Sequence, residues 1–135
     1  MRSSLLFALV LICSPAAAQL TVMVSHPQVI GQKAIVPLAL TNGLTEKVES
    51  ARAAAFLIDE EGKMVGQATR WIIGGSRDTP GLAAGATNVF NFVVASDRVF
   101  VSTNLSAKVT FSRVVLEGGK LADVTKAVII QYRTR

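Results

Sequence analysis

Residues 106–112 read Ser-Ala-Lys-Val-Thr-Phe-Ser, and polar and apolar side chains alternate strictly along this stretch. Successive side chains of a β-strand point to opposite faces, so the pattern predicts a strand with its apolar residues on a core and its polar residues, such as Lys108, in water. A strand of this kind is typical of an antiparallel sheet with one solvated face. The stretch therefore favours an all-β fold.

Other short segments rich in β-branched and aromatic residues surround this strand, and glycine, asparagine, aspartate and proline separate them. This punctuation is typical of all-β proteins. The remaining predicted strands cover residues 20–24, 34–41, 50–58, 64–73, 89–94 and 124–132. The pattern predicts an immunoglobulin-like antiparallel β-sandwich of about seven strands. The single cysteine excludes an inter-sheet disulfide.

Residues 45–61 leave two interpretations open. They are rich in helix formers, and their apolar residues recur at helical spacing. However, the apolar Phe56-Leu57-Ile58 leads into the polar 59–63 and then Met64-Val65, which is typical of a strand, a turn and a returning strand. Because pairing overrides local propensity, we favour a strand over about 50–58.

Two strands are predicted to lie at sheet edges. Pro37 interrupts the apolar run 34–41 and has no backbone N–H, so its strand should be an edge or carry a bulge. The C-terminal strand is the second candidate. Exposed edges can bind a partner by strand addition.

Residues 1–18 have the pattern of a secretory signal peptide. Arg2 precedes an apolar run over 5–13, and Ala16 and Ala18 supply the small residues that a signal peptidase requires. The run is too short for a membrane span, which needs about 20 apolar residues. Cleavage after Ala18 leaves 19–135 as a single domain without cysteine, periplasmic or secreted and not membrane-spanning. Lipidation at Cys13 is the alternative, although the bulky Ile12 precedes it.

The segment Ala55 to Val65, together with Leu40-Thr41-Asn42 before it and Leu82-Ala83-Ala84-Gly85 and Phe90 to Val94 after it, resembles the FxLYD-type family of exported bacterial immunoglobulin-like domains. The similarity covers about residues 34–116. Ala55 and Ile58 stand where the family has Phe and Tyr. The resemblance implies a small β-sandwich and no catalytic residue.

Trp71-Ile72-Ile73, beside the long polar loop 76–85, is the most plausible interaction feature. An exposed Trp71 would anchor a protein partner, because aromatic residues dominate interface energetics. The apolar run itself favours a core position for this side chain. The candidate binding residues are therefore Trp71 and, in the adjoining loop, Arg77.

Other chemistry has little support in the sequence. His26, Met23 and Met64 are three scattered candidate copper ligands, and Asp59-Glu60-Glu61 is better explained as a solvated turn than as a carboxylate site. No nucleophile elbow or phosphate loop occurs. We predict no metal, no cofactor and no catalytic residue.

The leading hypothesis is an exported non-catalytic domain that binds a protein or a cell-envelope surface. The formal charge of +5 is modest. It would keep the domain soluble or attract anionic cell-envelope surfaces, while export argues against nucleic acid as the partner. A periplasmic small-ligand or metal carrier is the alternative.

Overall fold

The computed structural model describes residues 18–75 and 80–133, which form two β-sheets packed face to face. Within these residues there are nine strands: β1 (Leu20–Val24), β2 (Gln28–Ile30), β3 (Lys33–Asn42), β4 (Val48–Ile58), β5 (Met64–Ile73), β6 (Thr87–Ala95), β7 (Ser106–Leu116), β8 (Lys120–Leu121) and β9 (Val128–Tyr132). A helical turn, α1 (Val124–Ala127), precedes β9. The predicted β-sandwich is confirmed, and the strands beyond seven are the short β2 and β8.

Sheet one contains five strands. One side of β3 pairs with β6, the other side pairs with β1 and β2, and β9 pairs with β1. Sheet two has the order β5-β4-β7-β8 and is antiparallel throughout. The β1–β9 pair is parallel, unlike the other pairs of sheet one. Among the described strands β9 pairs only with β1, so the predicted edge position of the C-terminal strand is confirmed.

The core lies between the two sheets and consists of apolar side chains that alternate along each strand. Its largest fully buried members are Phe92, Leu20, Leu38, Leu40, Leu57, Ile72, Ile73 and Leu105. In β7 the predicted alternation is confirmed, with Val109 buried and Lys108 exposed. Apolar burial contributes roughly 25 cal/mol per Å², so this core is the main source of stability.

Residues 48–58 of the ambiguous segment form β4, an inner strand of sheet two. Pairing of β4 with both β5 and β7 satisfies its backbone and overrides the helical propensity. Ala51, Ala53 and Ala55 all point inward and are fully buried. The predicted strand and the turn that follows it are confirmed.

The prediction that the Pro37 strand is an edge or carries a bulge at Pro37 was wrong, because β3 lies inside sheet one and its register with β6 runs on through Pro37 without a shift. Pro37 pairs with Asn91 of β6 on one side, and its carbonyl accepts a hydrogen bond from the Ser25 N–H on the other. The backbone N–H and C=O of one strand residue point to the same side. The position of the missing Pro37 N–H therefore faces residues 25–27, which lie between the end of β1 and the start of β2. The interruption therefore lies in the neighbouring strand.

The prediction that Val124 belongs to the last strand was wrong, because Val124 begins the helical turn α1. The Asp123 carboxylate accepts hydrogen bonds from the Thr125 hydroxyl at 2.7 Å and the Thr125 N–H at 3.1 Å. These bonds, the hydroxyl one first, lower the pKa of Asp123. Across residues 18–75 and 80–133, none of the helices has the length and apolar character needed to cross a membrane.

Candidate functional site

The outer face of sheet two carries an aromatic side chain and two cations in one row across three strands. Arg52 of β4 lies opposite Trp71 of β5 on one side and opposite Arg113 of β7 on the other. Trp71 is 38% exposed, and both arginines are exposed. We refer to these three residues as the Trp71 row.

A β-bulge in β5 adjoins this row. Ala51 pairs with Ile73 and Arg52 pairs with Trp71, which leaves Ile72 as an extra residue. Consequently Ile72 and Ile73 are both buried, at 1% and 2% exposure, while Trp71 stays on the outer face. The interpretation of Trp71 as a core residue was wrong, because the bulge lets two successive isoleucines fill the core in its place.

A second bulge adjoins the row from the opposite strand. Arg52 pairs with Arg113 and Ala53 pairs with Phe111, so Ser112 is the extra residue. Without it, regular alternation from Phe111 would turn Arg113 inward and Val114 outward. With it, Arg113 is exposed and Val114 is fully buried. Bulges that re-aim side chains are over-represented next to functional sites.

The turn after β5 limits the movement of Trp71. Gly75 has a φ of +81°, and a Cβ built on it would lie 2.6 Å from the Cβ and Cγ of Trp71. Only glycine adopts this backbone conformation freely and leaves room for the ring. The Trp71 side chain therefore packs closely on the backbone of Gly75, and a side chain with fewer free rotamers loses less conformational entropy on binding.

Two further rows on the same face complete a shallow trough. The row next to Trp71 carries the small residues Thr69, Ala54 and Thr110. Beyond it comes a row of larger residues, Gln67, Phe56 and Lys108. The side chains of this middle row are shorter than those of the rows on either side, and we call the three rows together the trough.

The three rows of the trough contain three cations and no carboxylate. Within the described parts of the chain, Arg52, Lys108 and Arg113 form no ion pair and no side-chain hydrogen bond. By contrast, Lys120 on β8 pairs with Glu46 at 2.9 Å. The cations of the trough are therefore available to an external anion.

A second concave feature is a cavity of about 550 Å³ at one end of the sandwich, between the β4–β5 turn and residues 96–105. Many of its polar groups hold the loops together. The Asp59 carboxylate accepts the N–H groups of Glu61 and Lys63, both at 2.9 Å. The Asn104 amide donates to the Glu60 carboxylate, also at 2.9 Å. Asp59-Glu60-Glu61 thus forms the predicted turn.

The candidate ligands for copper do not converge. His26 lines a small cavity beside β9, whereas Met64 lines the end cavity. Over residues 18–75 and 80–133, no group of three His, Cys, Asp or Glu side chains is placed to hold a metal ion. Arg77, the second predicted binding residue, lies outside the described residues.

Arg52, Lys108 and Thr69 were not among the predicted site residues. The alternation of 106–112 already placed Lys108 on the solvated face. The position of Arg52 beside Trp71 and Arg113 depends on two bulges, which single strands do not reveal. The excess of basic residues was the available signal for a cationic surface, but only strand pairing shows which of these residues lie together.

The fold is that of an immunoglobulin-like β-sandwich. A crystal structure of a Bordetella pertussis protein described as "Putative ApaA Protein" is similar to it, with a TM-score of 0.55 and 18% sequence identity. The similarity covers 78% of this chain and 85% of that one, and at this identity it shows the fold alone. No protein-family model and no curated protein matches the chain.

The exposure of Trp71 can be tested directly, because it is the one tryptophan of the sequence. We expect acrylamide to quench its fluorescence and the emission maximum to lie between those of buried and fully hydrated indole. In Gly75→Ala the new methyl group would push the ring aside, and quenching should increase. A blue-shifted emission that acrylamide does not quench would contradict the placement of Trp71.

Proposed function

We propose that the protein is an exported, non-catalytic immunoglobulin-like module that binds a protein or cell-envelope surface through the outer face of sheet two. The Trp71 row carries this proposal. It combines an exposed aromatic ring with two arginines that form no ion pair among the described residues, and the three lie on adjacent strands of one sheet.

The composition of the row supports binding. Tryptophan and arginine are enriched among the residues that contribute most to binding energy at interfaces. A sheet positions such side chains more firmly than a loop does. Two bulges adjoin Arg52, and they leave Trp71 and Arg113 on the outer face beside it.

A pull-down from the protein's own envelope extract tests this function. We expect the chain beginning at Gln19 to capture a partner that Trp71→Ala and Arg113→Ala lose. Leu121→Ala is the matched control, because Leu121 lies on β8 of the same sheet, is 64% exposed and is outside the trough. A partner retained equally by all variants, or no partner at all, would count against the proposal.

Export rests on the pattern of residues 1–18 and on the FxLYD resemblance. Two segments that carry this resemblance are hydrogen-bonded to each other, since the Asn42 amide donates to the Leu82 carbonyl at 2.9 Å. We expect mass spectrometry of the protein from its native host to find Gln19 as the first residue. A retained Met1, or a lipid on Cys13, would contradict this expectation.

A small-ligand carrier is the second candidate, because the end cavity falls within the ~300–1,000 Å³ range of ligand sites. Phe100 and Leu105 supply buried apolar surface to its lining. A carrier should show ligand-dependent thermal stabilisation that Leu105→Lys abolishes and Trp71→Ala leaves intact. Stabilisation lost only in Trp71→Ala would reject the cavity as the site.

A further inference from the structure

We propose that the trough binds an acidic polysaccharide, with sugar carboxylates paired to Arg52 and Arg113 on one wall and to Lys108 on the other. This inference rests on the proposed function and names the chemical class of its partner. It follows from the shape of the trough, its charge and the polar groups on its floor.

The shape favours an extended chain. Neighbouring strands lie about 4.8 Å apart, so the Trp71 row spans about 10 Å across the sheet. Arg52 and Phe56 are four positions apart on β4, which places the backbones of the two walls about 13 Å apart. A patch of about 10 Å by 13 Å, bordered by longer side chains on two sides, suits a stretch of linear polymer that crosses the strands.

The charge selects an anion. Three cations face the trough without a carboxylate among its three rows. An arginine guanidinium forms two parallel hydrogen bonds to one carboxylate, and such charged pairs are about twice as strong as neutral hydrogen bonds. Cations on both walls would hold successive acidic groups along a polymer.

The floor and walls distinguish a sugar from a peptide. Thr69 and Thr110 are exposed residues, and a threonine hydroxyl both donates and accepts hydrogen bonds as sugar hydroxyls do. An extended peptide would bring a backbone N–H and C=O at every residue, and the backbone of β4 is already paired with β5 and β7 and cannot bond to them. The apolar faces of sugar rings can lie against Trp71 and Phe56.

The test uses the chain beginning at Gln19 and four probes: polygalacturonate, neutral dextran, poly-L-glutamate and vesicles of phosphatidylglycerol. Trp71 emission reports on the trough, and calorimetry measures affinity without relying on fluorescence. We expect polygalacturonate to bind and to shift the emission, with an affinity that falls as salt rises. Dextran should not bind.

The variants separate the trough from general charge. Arg52→Gln and Arg113→Gln should each weaken polygalacturonate binding about tenfold, which is the loss expected for one charged hydrogen-bonded pair. Ala54→Phe keeps every charge but raises the floor, and it should weaken binding at least as much. Lys33→Gln removes an exposed cation from sheet one and should have no effect. Urea unfolding will confirm that each variant is folded.

The outcomes are distinct. Tighter binding of poly-L-glutamate would identify an acidic protein as the partner and overturn the inference, and tighter binding of vesicles would do the same for a membrane. Wild-type affinity in Ala54→Phe would also overturn it. If polygalacturonate fails to bind while Trp71 is still needed for envelope capture, the polysaccharide is wrong and the proposed function stands. If polygalacturonate does not bind and Trp71 is not needed for envelope capture, both the polysaccharide and the proposed function are wrong.

Discussion

Replacing Asn42 with alanine is expected to lower the free energy of unfolding by about 3 kcal/mol, because three hydrogen bonds worth about 1 kcal/mol each are lost. Among the described residues, Asn42 is the one fully buried polar side chain. Its amide donates to the carbonyls of Glu46 and Leu82, and its oxygen accepts the Leu44 N–H, each at 2.9 Å. It therefore fixes the turn after β3 and the segment before β6 at once.

Urea unfolding followed by circular dichroism measures this effect, since a stability change moves the midpoint while the slope stays constant. Asn42→Asp keeps the acceptor, loses both donors and buries a charge, so its loss should be at least as large. Asn88→Ala, at an exposed site on β6, should change stability by less than about 0.5 kcal/mol. A loss below about 1 kcal/mol in Asn42→Ala would contradict the structural role of this side chain.

Phe92→Ala is expected to cost about 3–5 kcal/mol, the range for removing a buried aromatic ring from a core. Phe92 is fully buried, faces Val36 of β3 and packs edge-to-face on Phe90 with ring centroids 6.1 Å apart. Its loss would leave a cavity between the sheets. Because small domains have only about 5–15 kcal/mol in total, a large part of the stability depends on this ring.

The control for this prediction lies on the same strand. Val89 is 64% exposed, and Val89→Ala should change stability by less than about 0.5 kcal/mol. If Phe92→Ala does not fold, Phe92→Leu provides a milder test with an expected loss of about 1.5 kcal/mol. Equal midpoints for Phe92→Ala and Val89→Ala would show that the ring is not a central part of the core.

The sequence predicted well wherever one strand alone carried the information. The ends of β1 and β5 were predicted to the residue, and the inward and outward faces of 106–112 were also correct. Predictions that depended on neighbours were less successful. Pro37 was predicted at an edge because its missing N–H cannot pair with a neighbouring strand. The sequence of β3 alone does not show that the neighbouring strand is interrupted at this point.

The candidate site was predicted in part for the same reason. Trp71 was identified as a candidate binding residue. Its exposure results from a bulge in β5, which is visible only from the pairing of this strand with Ala51 and Arg52 of β4. Leu82 was expected in a surface loop, yet it is 6% exposed because its backbone pairs with Val48. Bulges and bridges are properties of pairs of segments, so alternation within one segment cannot predict them.

The parallel pairing of β1 with β9 joins the two ends of the described chain, with Leu20 opposite Val128. Contacts of such long sequence separation slow folding, because a large loop must close before the pair forms. Sheet one cannot be completed until β9 has left the ribosome. A chain made for export would therefore lack its full native sheet until β9 has emerged, which gives a transport machinery time to engage it before it folds.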